Sequence, residues 1–76
     1  MKVIKRNGKT DDFQVVKVKK AIEKAFRATE TSFSEDMLDI LSLRVTADFQ
    51  EKVAHGKIDI EEIQNSVEKV LSDVGY

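Results

Sequence analysis

The chain has 76 residues, 13 Lys and Arg against 14 Asp and Glu, a formal net charge of -1, no Cys, no Pro and a single His. These figures exclude a disulfide framework, a thiolate or histidine-rich metal site, and a nucleic-acid binder of the strongly basic type. A chain this size buries only about 60% of its unfolded surface, so residues 1–76 read as one small domain or as part of a larger protein.

Met1 is followed at once by charged residues. No apolar run has signal length, and none approaches the ~20 residues of a membrane span. The expectation is a soluble, cytoplasmic chain.

Residues 2–6 and 9–14 read as two short strands. Asn7-Gly8 between them is a strong hairpin signal and predicts a type I′ turn, because Asn and Gly tolerate positive φ best. Residues 15–28 predict a helix: Val15, Val18, Ile22, Ala25 and Phe26 recur at three- and four-residue steps and form one apolar face. Residues 29–34 connect to a second helix. Ser32 with Glu35 fits a capping box, and Ser34 is an equally good N-cap. That helix is expected from about Glu35 to Ala54, with Met37, Leu38, Leu41, Val45, Phe49 and Val53 inward. His55 then falls in its last turn, suited to the dipole, and Gly56 just past its end. Lys57-Ile58-Asp59 is a short extended piece, a candidate third strand. Asp59 with Glu62 makes another capping box, opening a third helix from Ile60 to about Val74 with Ile60, Ile63, Val67, Val70, Leu71 and Val74 inward. Gly75 can close it.

The expected fold class is α+β and mostly helical: a small helical bundle capped by an N-terminal β-hairpin, with a three-stranded sheet if residues 57–59 join it. Three short helices leave an open side, so a further helix is expected after Tyr76.

Exposed cations beside a hairpin are ordinarily solvated charge. Here the order of elements sets Lys5 and Arg6 near Lys17, in the first turn of a helix. A cation there opposes the helix dipole by roughly 0.3–1 kcal/mol, and a bound phosphate reverses that cost. The cluster fits a polyanion such as a nucleotide phosphate tail. Nothing else carries chemistry. There is no carboxylate pair, no Ser/His pairing and no P-loop. Glu61, Glu62 and Glu68 read as capping and surface charge; Phe13, Phe26, Phe33 and Phe49 read as core, with Phe13 also placed to floor a base pocket.

Three segments in series resemble the ATP-cone family. They are Val3-Ile-Lys-Arg-Asn-Gly8, then Phe13-Gln-Val-Val-Lys-Val18 with Ala21-Ile22 and Ala25, then Ile58-Asp-Ile-Glu-Glu-Ile-Gln-Asn-Ser-Val-Glu68. The resemblance covers essentially the whole chain. It departs from the family pattern at Asn7 and Gln14, where Asp, and Asp or Asn, are common. It implies a regulatory domain that binds ATP or dATP, with Mg on the phosphates, and gives allosteric control of an attached ribonucleotide reductase, the anaerobic class being slightly preferred. It further implies a nucleotide site in which Val3 and the backbone near Ile60 flank the adenine, and Lys5, Arg6 and Lys17 meet the phosphates. Asn7 and Gly8 form the hairpin turn, and Asp11 meets a ribose hydroxyl. Gln14 and Gln64 are polar neighbours of the nucleotide, and Phe13 and Val18 are apolar walls. The partners so implied are the nucleotide, the catalytic domain of the parent reductase and other copies in nucleotide-dependent assemblies, with no membrane and no direct nucleic acid. Two other readings stand beside it: the nucleotide-sensing domain of a transcriptional repressor of reductase genes, and a helical protein-interaction module.

Overall fold

The computed structural model describes residues 1–75. The expectation of a further helix after Tyr76 lies outside them. The elements are β1 (Lys2–Ile4), β2 (Thr10–Asp12), α1 (Val15–Ala28), α2 (Glu35–Phe49) with a 3-10 turn at Gln50–Lys52, β3 (Lys57–Asp59) and α3 (Ile60–Asp73). The sheet has three strands in the order β2-β1-β3, so the fold is α+β and mostly helical, and residues 57–59 do join the hairpin.

The hairpin differs from its expected form. Its strands are shorter, and its loop is Arg6-Asn7-Gly8. Lys5 N–H donates to the Lys9 carbonyl (2.8 Å), and Gly8 N–H donates to the Lys5 carbonyl (2.9 Å). Gly8 has φ 83, whereas Asn7 is not among the positive-φ residues. This is a three-residue loop with the glycine in the left-handed bulge position, not a type I′ turn. Asn-Gly serves both geometries. The type I′ turn occurs elsewhere, at His55-Gly56, where φ is 54 and 72. Ala54 and Lys57 exchange hydrogen bonds of 2.9 and 3.0 Å across it.

That turn also corrects the second helix. Regular α-helix stops at Phe49, tightens through Gln50–Lys52, and reaches extended backbone at Val53 (φ -72, ψ 125). The chain must reverse there to lay β3 beside β1. His55 is therefore outside the helix, and Gly56 is a turn residue rather than a helix-ending one. β3 runs parallel to β1, pairing Val3 with Ile58, and Lys2 N–H also bonds the Gly56 carbonyl at 2.8 Å.

The core joins Val18, Ile22 and Phe26 of α1, Leu38, Leu41, Val45 and Phe49 of α2, and Ile63, Val67, Val70 and Leu71 of α3 to Val3 and Ile58 of the sheet. Val15, expected inward, is 48% exposed; the buried stripe of α1 begins only at Val18. α2 packs on both other helices, whereas α1 and α3 touch each other little. A gap therefore remains between α1 and α3 at the sheet end. Lys19, on α1, ties that helix to α2 through Glu35 (2.6 Å) and Asp39 (2.9 Å). Two carboxylates on one ammonium raise its pKa. Phe26 stacks on Phe33 at 5.9 Å. No helix among the described residues is long and apolar enough to cross a membrane.

Candidate functional site

The gap between α1 and α3 is a cavity of about 130 Å³. The sheet forms its end, with Val3, Lys5, Asp11, Asp12 and Phe13; α1 supplies Lys17, Val18 and Ala21, preceded by Gln14; α3 supplies Ile60, Ile63, Gln64 and Val67. Strand alternation explains the sheet's share. Val3 lies opposite Asp11 across the antiparallel pair, and opposed residues share a face. Lys5 and Phe13, two residues on from each, continue that face. Lys2 and Asp12, also opposed, pair with each other instead, which raises the lysine pKa. Phe13 anchors the cavity to the core, its ring edge-on to Phe49 at 5.4 Å and 76°.

The polar end is a three-member cluster. Asp11 Oδ2 lies 3.5 Å from Lys5 Nζ and 3.3 Å from Lys17 Nζ, and Asp11 Oδ1 accepts from the Asp12 N–H at 2.9 Å. That backbone bond first, then Lys17 and Lys5, hold the Asp11 pKa below the ordinary carboxylate value. Of the three cations expected together, Lys5 and Lys17 meet through Asp11. Arg6 is turned away, its Nε 3.2 Å from Glu61 at the start of α3. Asn7 and Gly8 belong to the hairpin loop, where Asn7 Oδ1 accepts from the Lys9 N–H at 3.0 Å. Neither they nor Arg6 line the cavity.

The two helix starts at the cavity are unlike. Gln14, the N-cap of α1, makes no side-chain cap, and the first turn holds Lys17 and no acid. The Asp59 side chain caps α3 through the Glu61 N–H at 2.9 Å, and Glu61 and Glu62 fill its first turn. Glu62 does not close the expected capping box reciprocally; its carboxylate pairs with Lys52 at 3.0 Å. Ser34, not Ser32, caps α2, accepting from the Met37 N–H at 3.2 Å. The Lys17 N–H bonds the Gln14 carbonyl at 3.0 Å, but no side chain caps α1 and no acid meets its positive dipole end, which lies beside Lys5 and Lys17. Chemically, the cavity offers apolar walls for a flat group and a cationic end for an anion.

Residues 1–76 match the family model for the ATP cone domain. The chain belongs to the ATP-cone family. It is similar to the ribonucleoside-diphosphate reductase subunit alpha of Chlamydia muridarum, with 36% identity over 84 aligned residues that cover 100% of this chain and 8% of that subunit. The corresponding subunit of Chlamydia pneumoniae is 37% identical over 82 residues, covering 97% of the chain and 8% of the subunit. The chain therefore spans about 8% of the length of the curated relatives it matches.

In this ATP-cone the structure gathers Val3, Lys5, Asp11, Phe13, Gln14, Lys17, Val18, Ile60 and Gln64 around one cavity. The sequence reading did not assign Asp12, Ala21, Ile63 and Val67 to it. Helical spacing held the missing signal: Ile60, Ile63, Gln64 and Val67 form one face, as do Lys17, Val18 and Ala21. Ile63 and Val67 were read only as core, yet here each serves both core and cavity.

Proposed function

We propose that this ATP-cone is a regulatory nucleotide-binding domain that takes ATP or dATP in the α1–α3 cavity and governs an attached ribonucleotide reductase. The observation that carries the reading is the pairing, in one cavity, of apolar walls with two lysines at an uncapped helix start. The walls suit a base, with Val3 and Ile60 flanking adenine and Phe13 and Val18 beside them. Lys5 and Lys17 suit the phosphates, with Mg accompanying them. Arg6 reaches the phosphates once it leaves Glu61, an exposed pair that holds it weakly. Asp11 and Gln14 stand where a ribose edge is sensed, and Gln64 offers an amide to the base or ribose. The domain does no chemistry of its own on this reading. Its output is a change in how the parent chain associates, since a ligand shifts two states only by binding them unequally.

The relatives' names support a ribonucleotide reductase as the parent without bearing on the anaerobic preference, and the family supports the nucleotide. Calorimetric titration with ATP, dATP and GTP tests the reading. Saturable binding of the adenine nucleotides is expected, and Lys5→Ala or Lys17→Ala should each weaken it by roughly 1.5–3 kcal/mol. Affinity unchanged in both folded variants sinks the site.

A second role has its own observation. Ile40 and Leu43 on α2 are 59% and 66% exposed, and Val15 and Val16 on α1 are also exposed; Val15, Val16 and Leu43 line one shallow groove. An apolar face of this kind suits contact with the rest of the parent or another copy. It suits that contact better than the polar side at Asp48 and Lys52, whose charges are already paired with Lys69 and Glu62. Sedimentation of the parent with ATP and then dATP checks the regulatory claim, and identical profiles would remove it.

A further inference from the structure

We infer that Asp11 is the site's own counter-ion and makes the cavity select nucleotides over bare polyphosphate. The inference rests on the nucleotide reading above and concerns how that site refuses a wrong polyanion.

Lys5 and Lys17 are the two cations that line the cavity, and both lie on a single oxygen, Asp11 Oδ2. An entering phosphate therefore meets ammonium groups that are already paired. It must take them from a carboxylate that a backbone N–H holds in place through the other oxygen. The neighbouring acid is engaged elsewhere: Asp12 also borders the cavity but pairs with Lys2, so Asp11 is the carboxylate that holds the two cavity lysines.

The exchange has a consequence for selectivity. Once both lysines go to phosphate, Asp11 Oδ2 has lost its cations and faces a like charge, which is unfavourable. A ligand with a hydroxyl in reach gives that oxygen a new donor. Inorganic tripolyphosphate has no sugar hydroxyl, and where it is fully ionised it has no P–OH to give. A site discriminates well when the wrong ligand leaves one of its polar groups unpaired. Asp11 is thus a specificity-determining residue whose cost falls on the polyphosphate and is offset for the nucleotide.

The test is calorimetric titration of the 76-residue chain and its Asp11→Asn variant with inorganic tripolyphosphate and with ATP at one ionic strength, with helicity checked by circular dichroism. Asp11→Asn should bind tripolyphosphate roughly three- to tenfold tighter, the scale of two exposed ion pairs. ATP should gain less, or lose, so that the ratio of the two affinities narrows. Asp11→Glu, which keeps the charge, should keep a ratio near that of the parent sequence. If ATP binds but Asp11→Asn shifts both ligands equally, or weakens tripolyphosphate, the inference is wrong while the nucleotide site stands. If ATP does not bind the unaltered chain, the nucleotide reading fails and the inference falls with it.

Discussion

Two helix starts share the cavity, and they are built in opposite ways. α3 opens with an Asp59 cap and two acids, so its dipole is answered from within the chain. α1 opens with Gln14, whose side chain makes no cap, and with Lys17 in its first turn, so no side chain of the helix answers its positive end. α2, away from the cavity, is closed like α3, with the Ser34 cap, Glu35 and Asp36. A helix start lacking both cap and acid forgoes local stability. Among the three α-helices of the described residues that deficit falls at α1, where a cavity and two lysines meet it, which is why the contrast points to an anion site.

The largest expected effect comes from making α1 resemble α3. Lys17→Glu removes a phosphate contact and adds a repelling charge. It should weaken dATP binding at least roughly 100-fold, while the gain of about 0.3–1 kcal/mol from an acid in the first turn is opposed by loss of the exposed Asp11 pair. Titration should therefore change sharply while thermal melting of the same variant changes little. Loss of both together would mean that Lys17 holds the fold rather than a ligand.

Opening α3 should do the converse. Asp59→Ala removes a cap worth about 1 kcal/mol, which lowers the melting temperature by about 4–8 °C in a domain this small. Nucleotide affinity, measured well below the melt, should change by less than about threefold, because Asp59 does not line the cavity. A larger loss of affinity with little loss of stability would place α3's cap in the site and erase the contrast.

Adding a cap to α1 is subtler. Gln14→Ser should stabilise the helix by roughly 0.5–1 kcal/mol and weaken the binding of anions at its first turn. Equilibrium unfolding in urea with and without ATP reads both, and no gain in stability would show that the α1 start is not open.

The smallest effects are those of pH. Asp11 is lowered chiefly by the Asp12 N–H and then by Lys17 and Lys5, and Asp48 chiefly by Lys69. Their contribution is whole above the unfolded carboxylate value of about 3.9 and is lost as pH falls through the lower folded values. Lys2 and Lys69 are raised, chiefly by Asp12 and Asp48. Their contribution is whole below the ordinary lysine value of about 10.4 and is lost as pH rises through the higher folded ones. Urea midpoints should be flat between about pH 5 and 9 and fall on both sides. A midpoint that changed across the neutral range would assign the stability to other groups.

Local pattern made the bounds of α1 readable to the residue, although its first expected inward residue, Val15, lies exposed. The end of α2 was not readable. Apolar spacing continues to Val53, and only the need to return β3 to β1 stops the helix early. Parallel pairing of β1 with β3 joins residues more than fifty apart, and no local signal encodes it. Asn7-Gly8 announced a turn but not its type, since φ at Asn7 depends on where the flanking strands close. In the site, Lys5 and Lys17 were legible from the order of hairpin and helix, and Phe13 from its place beside them, whereas Asp11 came only with the family resemblance. Arg6 does not join them: it occupies the loop, where alternation ends, and pairs with Glu61 at 3.2 Å.

The most direct measurement is a nuclear magnetic resonance titration of the chain with dATP, following backbone amides. The account predicts saturable shifts at Val3, Lys5, Asp11, residues 14–18 and residues 60–64, largest in the first turn of α1, with the residue 35–37 amides at the capped start of α2 unmoved. Saturation that leaves residues 14–18 still, or that moves the α2 start as much as the α1 start, would contradict it.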